Sequence, residues 1–460
     1  MTNPFIYLKY SLITGLFLSA SAAAIAQTWV GVGIPGISTG SINYTSIVLD
    51  TGGIPYIAFA DALHGNNASV MKYTGSAWTY VGDTSISSGL GAWSVTLAFG
   101  KNDTPYIAYN DVSSDGAPTI MKYNGTSWVQ VGSTGSPSGP ISSVQLAIDT
   151  AGTPYVAYQD PTEYASVKKF DGSNWVFVGS PSFSAGYAAT PSIALDPSGT
   201  PYVSYTDGAN AYKVSVMKYN GSAWENVGPA GFTPDSAGVW EYSLAIDGSG
   251  TPYIAYQDDN DLLGKAIVMK YDGTSWTELG GTPASPGAAL WISLALNASG
   301  EPYIVYADGT DNNKATVVTY HDSSWVTTGA ADFSDSSVKY ASIAMSKSGA
   351  SYVVYKDAAH VNKVTVKELQ TSNTVAAISH SAPGLNVYPD PAQGNFFLTV
   401  STSQLQSVPV VITNALGQKV KECTIPANNA RQITLDVAPG VYFISAITND
   451  GVATKSIIVK

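Results

Sequence analysis

Aspartates recur at one place in the chain: Asp61, Asp111, Asp160, Asp207, Asp258, Asp308 and Asp357 each close an apolar run that carries Tyr or Phe. Carboxylates gathered in a ring hold a cation or accept hydrogen bonds from sugar hydroxyls. The same residue at a strand end also caps the backbone of the turn that follows. Repetition favours the capping role, because one ligand needs fewer sites. Aromatic residues sit three or four positions before a later Leu or Ile in most units: Tyr44, Trp93, Trp240, Trp291 and Tyr340, with Ser143 and Thr190 in that place elsewhere. Exposed rings beside carboxylates suit saccharides, whose C–H faces stack on aromatics while their hydroxyls donate to Asp. The alternative for such rings is packing between sheets. The candidate ligand-binding set is Tyr44, Trp93, Trp240, Trp291 and Tyr340, with Asp61, Asp258 and Asp308.

One pair breaks the regularity. Asp61-Ala-Leu-His64 and Asp357-Ala-Ala-His360 fall in the first and last units, and in a closed ring these would be neighbours. His64, His360, Asp61 and Asp357 are therefore candidate metal ligands or a proton-transfer pair, set against independent solvent-facing loop residues. Asp258, Asp259, Asp261, Asp308 and Asp311 make two acidic loops. A Ca²⁺ is conceivable there, but the EF-hand spacing with its Gly and terminal Glu is missing, and a solvated loop explains the charge. No cofactor is expected.

Much chemistry is excluded. The sole arginine is Arg431 and the sole cysteine Cys423, both near the C-terminus. Everything before them lacks the guanidinium cluster of a sialidase-like site and any nucleophilic thiol. No His-Glu-x-x-His helix occurs. A net charge of −12 opposes nucleic-acid binding, which needs clustered Lys and Arg. A lone cysteine forms no internal disulfide.

The elements that must position the candidates follow from a repeat. Pro55-Tyr56, Pro105-Tyr106, Pro154-Tyr155, Pro201-Tyr202, Pro252-Tyr253, Pro302-Tyr303 and a degenerate Ser351-Tyr352 recur about every 50 residues. Each unit predicts four short strands, A to D. Gly turns such as Asp149-Thr-Ala-Gly152 separate A from B, and hairpin dipeptides such as Asn124-Gly125, Asn220-Gly221 and Asp272-Gly273 separate C from D. Strand B is apolar on both faces, as in Tyr253-Ile-Ala-Tyr256, so neighbouring sheets should cover both sides. Units of this kind cannot bury themselves alone and read as propeller blades.

Tryptophan gives the closure. A D-strand Trp occurs at Trp78, Trp128, Trp175, Trp224, Trp276 and Trp325, and another at Trp29, ahead of the first unit, while the last unit has none. Thr28 to Gly33 should therefore supply the missing D strand of the final blade. An open solenoid explains the period but not this displacement. The expected fold is all-β: a seven-bladed β-propeller of four-stranded blades over 27–370, closed by an N-terminal strand. In such a ring the D-to-A and B-to-C loops share the face where the channel opens.

The ends carry an address. Residues 1–26 read as a secretory signal, with Lys9, an apolar stretch from Ser11 to Ala20, and Ala24-Ile25-Ala26 as the cleavage site. No membrane span is expected in the mature protein. After a linker over 371–384 the period stops. Residues 385–460 contain Asn386-Val-Tyr-Pro-Asp-Pro-Ala-Gln-Gly394, Val410 to Val420, Ala438-Pro-Gly-Val-Tyr-Phe443 and Thr454 to Lys460. This region resembles the type A C-terminal sorting domain of the type IX secretion system of Bacteroidetes, although Asp390 stands where that family usually has Asn. The resemblance implies a small β-sandwich, the type IX secretion machinery as partner, and a secreted or outer-surface protein. For the propeller the expectation is noncatalytic binding of a glycan or a surface protein through the loop face. The alternatives are a glycan-active hydrolase or lyase using two rim carboxylates, and a structural adhesion component.

Overall fold

A computed structural model describes residues 26–87, 91–114, 116–135, 141, 143–234, 237–258, 264–372, 384–402, 407–448 and 451–460. Residues 1–25 of the signal, most of the linker and the acidic stretch 259–263 lie outside the described residues. The chain forms two compact units, one of which is Gln27–Thr371.

In that unit the described strands make seven four-stranded sheets. Blade one shows the pattern: A is Ile42–Leu49, B is Pro55–Asp61, C is Asn67–Tyr73 and D is Trp78–Tyr80. The next five blades repeat it in chain order, and their A strands are Ala92–Phe99, Val144–Ile148, Ala188–Leu195, Ala237–Ile246 and Ala289–Leu296. Blade seven has A, B and C at Val338–Met345, Ser351–Asp357 and Lys363–Ser372, and its fourth strand is Ala26–Gly31. The ring closes as a seven-bladed propeller, and the A strands of the first and last blades lie side by side like every other neighbouring pair. B strands are buried on both faces, as their unbroken apolar runs require; Ile57, Ile107, Val156, Val203, Ile254, Ile304 and Val353 are all at 0% exposure.

Blade-to-blade contact repeats through side chains the period supplies. The indole Nε1–H of Trp78 donates to the Val32 carbonyl, Trp128 to Val81, Trp175 to Val131, Trp224 to Val178, Trp276 to Val227 and Trp325 to Leu279. Each bond joins a D strand to the end of the D strand before it, so the indole buries its ring without orphaning its one donor. The Gly after each of those acceptors makes room: a Cβ on Gly82, whose φ is +74°, would stand 2.9 Å from the Tyr123 ring and 3.1 Å from the Trp128 indole. In the D-to-A loops a hydroxyl ties the loop back to the C strand of the blade it leaves. Backbone N–H groups of Ala68, Ala266, Ala315 and Val364 donate to Ser87, Ser285, Ser334 and Ser38 at 2.8–3.1 Å.

The other unit contains Ser372–Lys460. A sheet of Gly384–Tyr388, Asn395–Ser401 and Arg431–Thr434 faces a sheet of Lys419–Pro426, Ser407–Asn414, Gly440–Thr448 and Gly451–Val459. Alternate residues point inward, and Phe396, Leu398, Val410, Ile412, Ile444 and Ile457 form the shared core of a β-sandwich. Asp390 accepts a hydrogen bond from the Ile458 N–H at 2.9 Å, tying the segment before the second strand to the C-terminal strand.

Candidate functional site

The channel wall is built from A strands, and each described bulge in them re-aims one residue. The A–B register shifts between Asn43 and Thr45, Trp93 and Thr96, Ala189 and Ser192, Leu290 and Ser293, and Lys339 and Ser342. Within those steps Tyr44, Ser94, Thr190, Trp291 and Tyr340 have φ between 44° and 57°, a left-handed conformation that costs a bulky residue about 1–3 kcal/mol. The bulge recurs whatever side chain sits on it, so the backbone device belongs to the fold. What the side chain is differs from blade to blade.

Those five residues line one cavity of about 340 Å³, together with inward-facing polar residues such as Ser46, Gln145, Ser243 and Ser293. Three rings make an arc across blades six, seven and one. Trp291 and Tyr340 have centroids 4.5 Å apart, and Tyr340 and Tyr44 5.3 Å apart. Burial raises the phenol pKa of Tyr44, with Tyr340 adding to it, and burial raises that of Tyr340; both hydroxyls stay protonated donors. Blades two, three and four present Ser94, Ser143 and Thr190 on the same cavity wall. Ser143 is 6% exposed, and its Oγ has no hydrogen-bond partner among the described residues. The described wall carries no carboxylate.

The structure sorts the sequence candidates. Tyr44, Trp291 and Tyr340 come together. Trp93 precedes its bulge, is 54% exposed and is not on the cavity wall. Trp240 lies in the A strand of blade five, and its side chain is outside the described residues. Ser94, one residue after Trp93, takes the position equivalent to Tyr340 and was missed; aligning the repeats on Leu97 and Ile343 would have found it. The same alignment puts Glu241 at this position in blade five, with its side chain also outside the described residues.

The aspartates bind their own loops. Asp61, Asp207 and Asp357 are essentially buried and accept from the N–H two residues on, in Leu63, Ala209 and Ala359, at 2.9–3.0 Å. Their second oxygens accept from Thr39, Ser215 and Thr365. Asp308 accepts from the Thr310 N–H and hydroxyl, and Asp111 from those of Ser113. Asp160 does the same with Thr162, Ser166 and Ser182; burial raises its pKa, but these bonds together hold it below the usual carboxylate range. Asp258 ends its B strand, and the loop that follows lies outside the described residues.

Each histidine stays with its own Asp: His64 Nδ1 is 3.7 Å from Asp61 and His360 Nδ1 2.8 Å from Asp357. Among the described residues no three His, Cys, Asp or Glu side chains gather to hold a metal. Asp311 faces Lys314 at 3.5 Å; Asp259 and Asp261 lie outside the described residues.

Residues 386–460 match the family model described as a secretion system C-terminal sorting domain. The tail is a type IX sorting domain. Through it the chain is addressed for secretion or display on the cell surface, and no helix among the described residues is long and apolar enough to cross a membrane. No curated protein matches the chain in sequence. A lectin from Burkholderia pseudomallei is similar in structure, with TM-score 0.55 and 11% identity over 72% of this chain and 96% of that one. The Aleuria aurantia lectin in complex with Fucα1-6GlcNAc has TM-score 0.43 and 14% identity over 65% of this chain and 97% of that one. An ulvan lyase has TM-score 0.47 and 15% identity over 74% of this chain and 95% of that one. At 11% identity the likeness to the Burkholderia lectin concerns fold alone.

Proposed function

We propose that the exported propeller is a noncatalytic saccharide-binding protein whose site is the cavity lined by the bulged A-strand residues. The observation that carries this reading is the arc Trp291–Tyr340–Tyr44 on the same wall as Ser94, Ser143 and Thr190. Stacked C–H faces of a pyranose need flat apolar surface, and its hydroxyls need donors and acceptors around that surface. Both are present on the described wall. Hydrolysis of a glycosidic bond would ask for two carboxylates flanking the bond, and the described wall offers rings and hydroxyls instead.

A glycan array probed with the mature full-length protein tests the reading. Reproducible binding that Trp291→Ala and Tyr340→Ala abolish is the expected result. Binding unaffected by both would move the site elsewhere, and the absence of any bound glycan would favour a protein partner.

A further inference from the structure

Blade seven carries a charge feature that blades one, two, four and six lack at the same register. Lys339 and Lys356 are direct cross-strand partners of the A and B strands, beside the bulge at Tyr340. The equivalent pairs are Asn43 with Ala60, Trp93 with Asn110, Ala189 with Thr206, and Leu290 with Ala307. Like charges placed directly opposite each other destabilise a sheet, so packing alone does not favour this pair.

Neither lysine has a carboxylate within ion-pair distance among the described residues, whereas Lys218 and Lys314 do. Lys356 is half-buried, donates to the Asn43 Oδ1 at 3.1 Å and holds its Nζ 5.8 Å from the centre of the Tyr340 ring. Lys339 is exposed next to it. Burial, and then Lys339, lower the Lys356 pKa, as expected of an ammonium that lacks a counter-charge. Both lysines lie outside the lining of the 340 Å³ cavity and beside the middle ring of the aromatic arc, in a chain of net charge −12.

Resting on the saccharide reading above, we infer that the ligand is an acidic saccharide whose carboxylate or sulfate is held by Lys356 and Lys339 while a sugar ring stacks on Tyr340. An anion there would supply the charge missing from both lysines, and the partly desolvated Lys356 would gain most from it. Neutral sugars would keep the stacking and lose the ion pair.

Calorimetric titration of the mature full-length protein tests this with three probes of equal length: an oligomannuronate, a sulfated oligosaccharide and a neutral cello-oligosaccharide. At least one acidic probe should bind about tenfold or more tightly than the neutral one, the factor expected for a charge-assisted hydrogen bond. Preference for the first acidic probe identifies a carboxylate, and preference for the second a sulfate. Lys356→Met and Lys339→Gln should each remove that advantage and flatten its salt dependence, leaving neutral binding unchanged. Lys339 is exposed, so its variant should fold normally. Equal affinity for neutral and acidic probes overturns the charge assignment alone, as does wild-type acidic binding in both lysine variants. Acidic binding that needs the lysines but survives Tyr340→Ala and Trp291→Ala keeps that assignment and overturns the channel reading. No binding of any probe overturns both.

Discussion

The indole of Trp29 donates to the backbone carbonyl of Thr328 at 2.8 Å, across 299 residues of sequence. It is the same bond that Trp128 makes to Val81 inside the chain, formed here where the two ends of the ring meet. Its ring also stacks on Phe333 with centroids 4.7 Å apart. Trp29→Ala should cost roughly 3–5 kcal/mol, as for other buried Trp truncations. It should also raise hydrogen exchange first in blades six and seven, which this bond and the Trp29 packing join. Denaturant unfolding with exchange mass spectrometry checks this, and uniform exchange across all blades would mean that the seam is not special.

Gly82 is the small residue that lets the next blade approach. Its φ is +74°, and a methyl carbon on its Cα would stand 2.9 and 3.1 Å from ring atoms of the next blade. Gly82→Ala therefore meets both a backbone penalty and a clash. We expect a loss of roughly 1–3 kcal/mol, read from the denaturation midpoint. Gly125 has open space around its Cβ position, so Gly125→Ala should show only the backbone part.

Asp207 separates capping from ligand binding. It is at 0% exposure and accepts from the Ala209 N–H, Asn210 Nδ2 and Ser215 Oγ. Asp207→Ala should lower stability by roughly 1–3 kcal/mol through the donors it orphans. Glycan affinity at the channel should remain unchanged. A variant of normal stability that binds no glycan would reverse that assignment.

The A-to-B turns give an acid dependence. Burial raises the pKa of Asp196 and Asp247, yet hydrogen bonds from Ser198 and Thr200, and from Ser249 and Thr251, together hold both below the ordinary value. A carboxyl depressed in the folded state contributes stability above its unfolded pKa of about 3.9, and loses it as pH falls through the folded value. Melting temperature should therefore drop below about pH 4. The double variant Asp196→Asn, Asp247→Asn should drop less steeply, because Asn297 already makes the same turn bonds in blade six. An unchanged acid slope would show that other carboxyls set it.

The repeat was legible because its signals are local. Pro-Tyr, the hairpin Gly and the D-strand Trp each fix one element, and the misplaced Trp29 points to closure. The site was legible only in part. Placing the aromatics three or four residues before a Leu or Ile grouped Trp93 with Tyr340, but one residue in a strand reverses the face a side chain takes, and the bulge decides which. Lys339 and Lys356 lie 17 positions apart and become partners only through A–B pairing. The Ser38, Ser87, Ser285 and Ser334 pins repeat in the sequence as well, yet hydroxyls are so common here that their role needs the loop geometry.

The central claim is that the aromatic arc of the channel binds saccharide, and the most direct measurement compares one glycan-array hit across four proteins. Wild type and Trp93→Ala, which alters an exposed ring outside the cavity, should bind alike. Tyr340→Ala and Trp291→Ala should lose roughly 1–3 kcal/mol or more of affinity, the range of a hydrogen bond or stacking contact removed from a polar site. Loss in Trp93→Ala with full binding in the two arc variants would contradict the account.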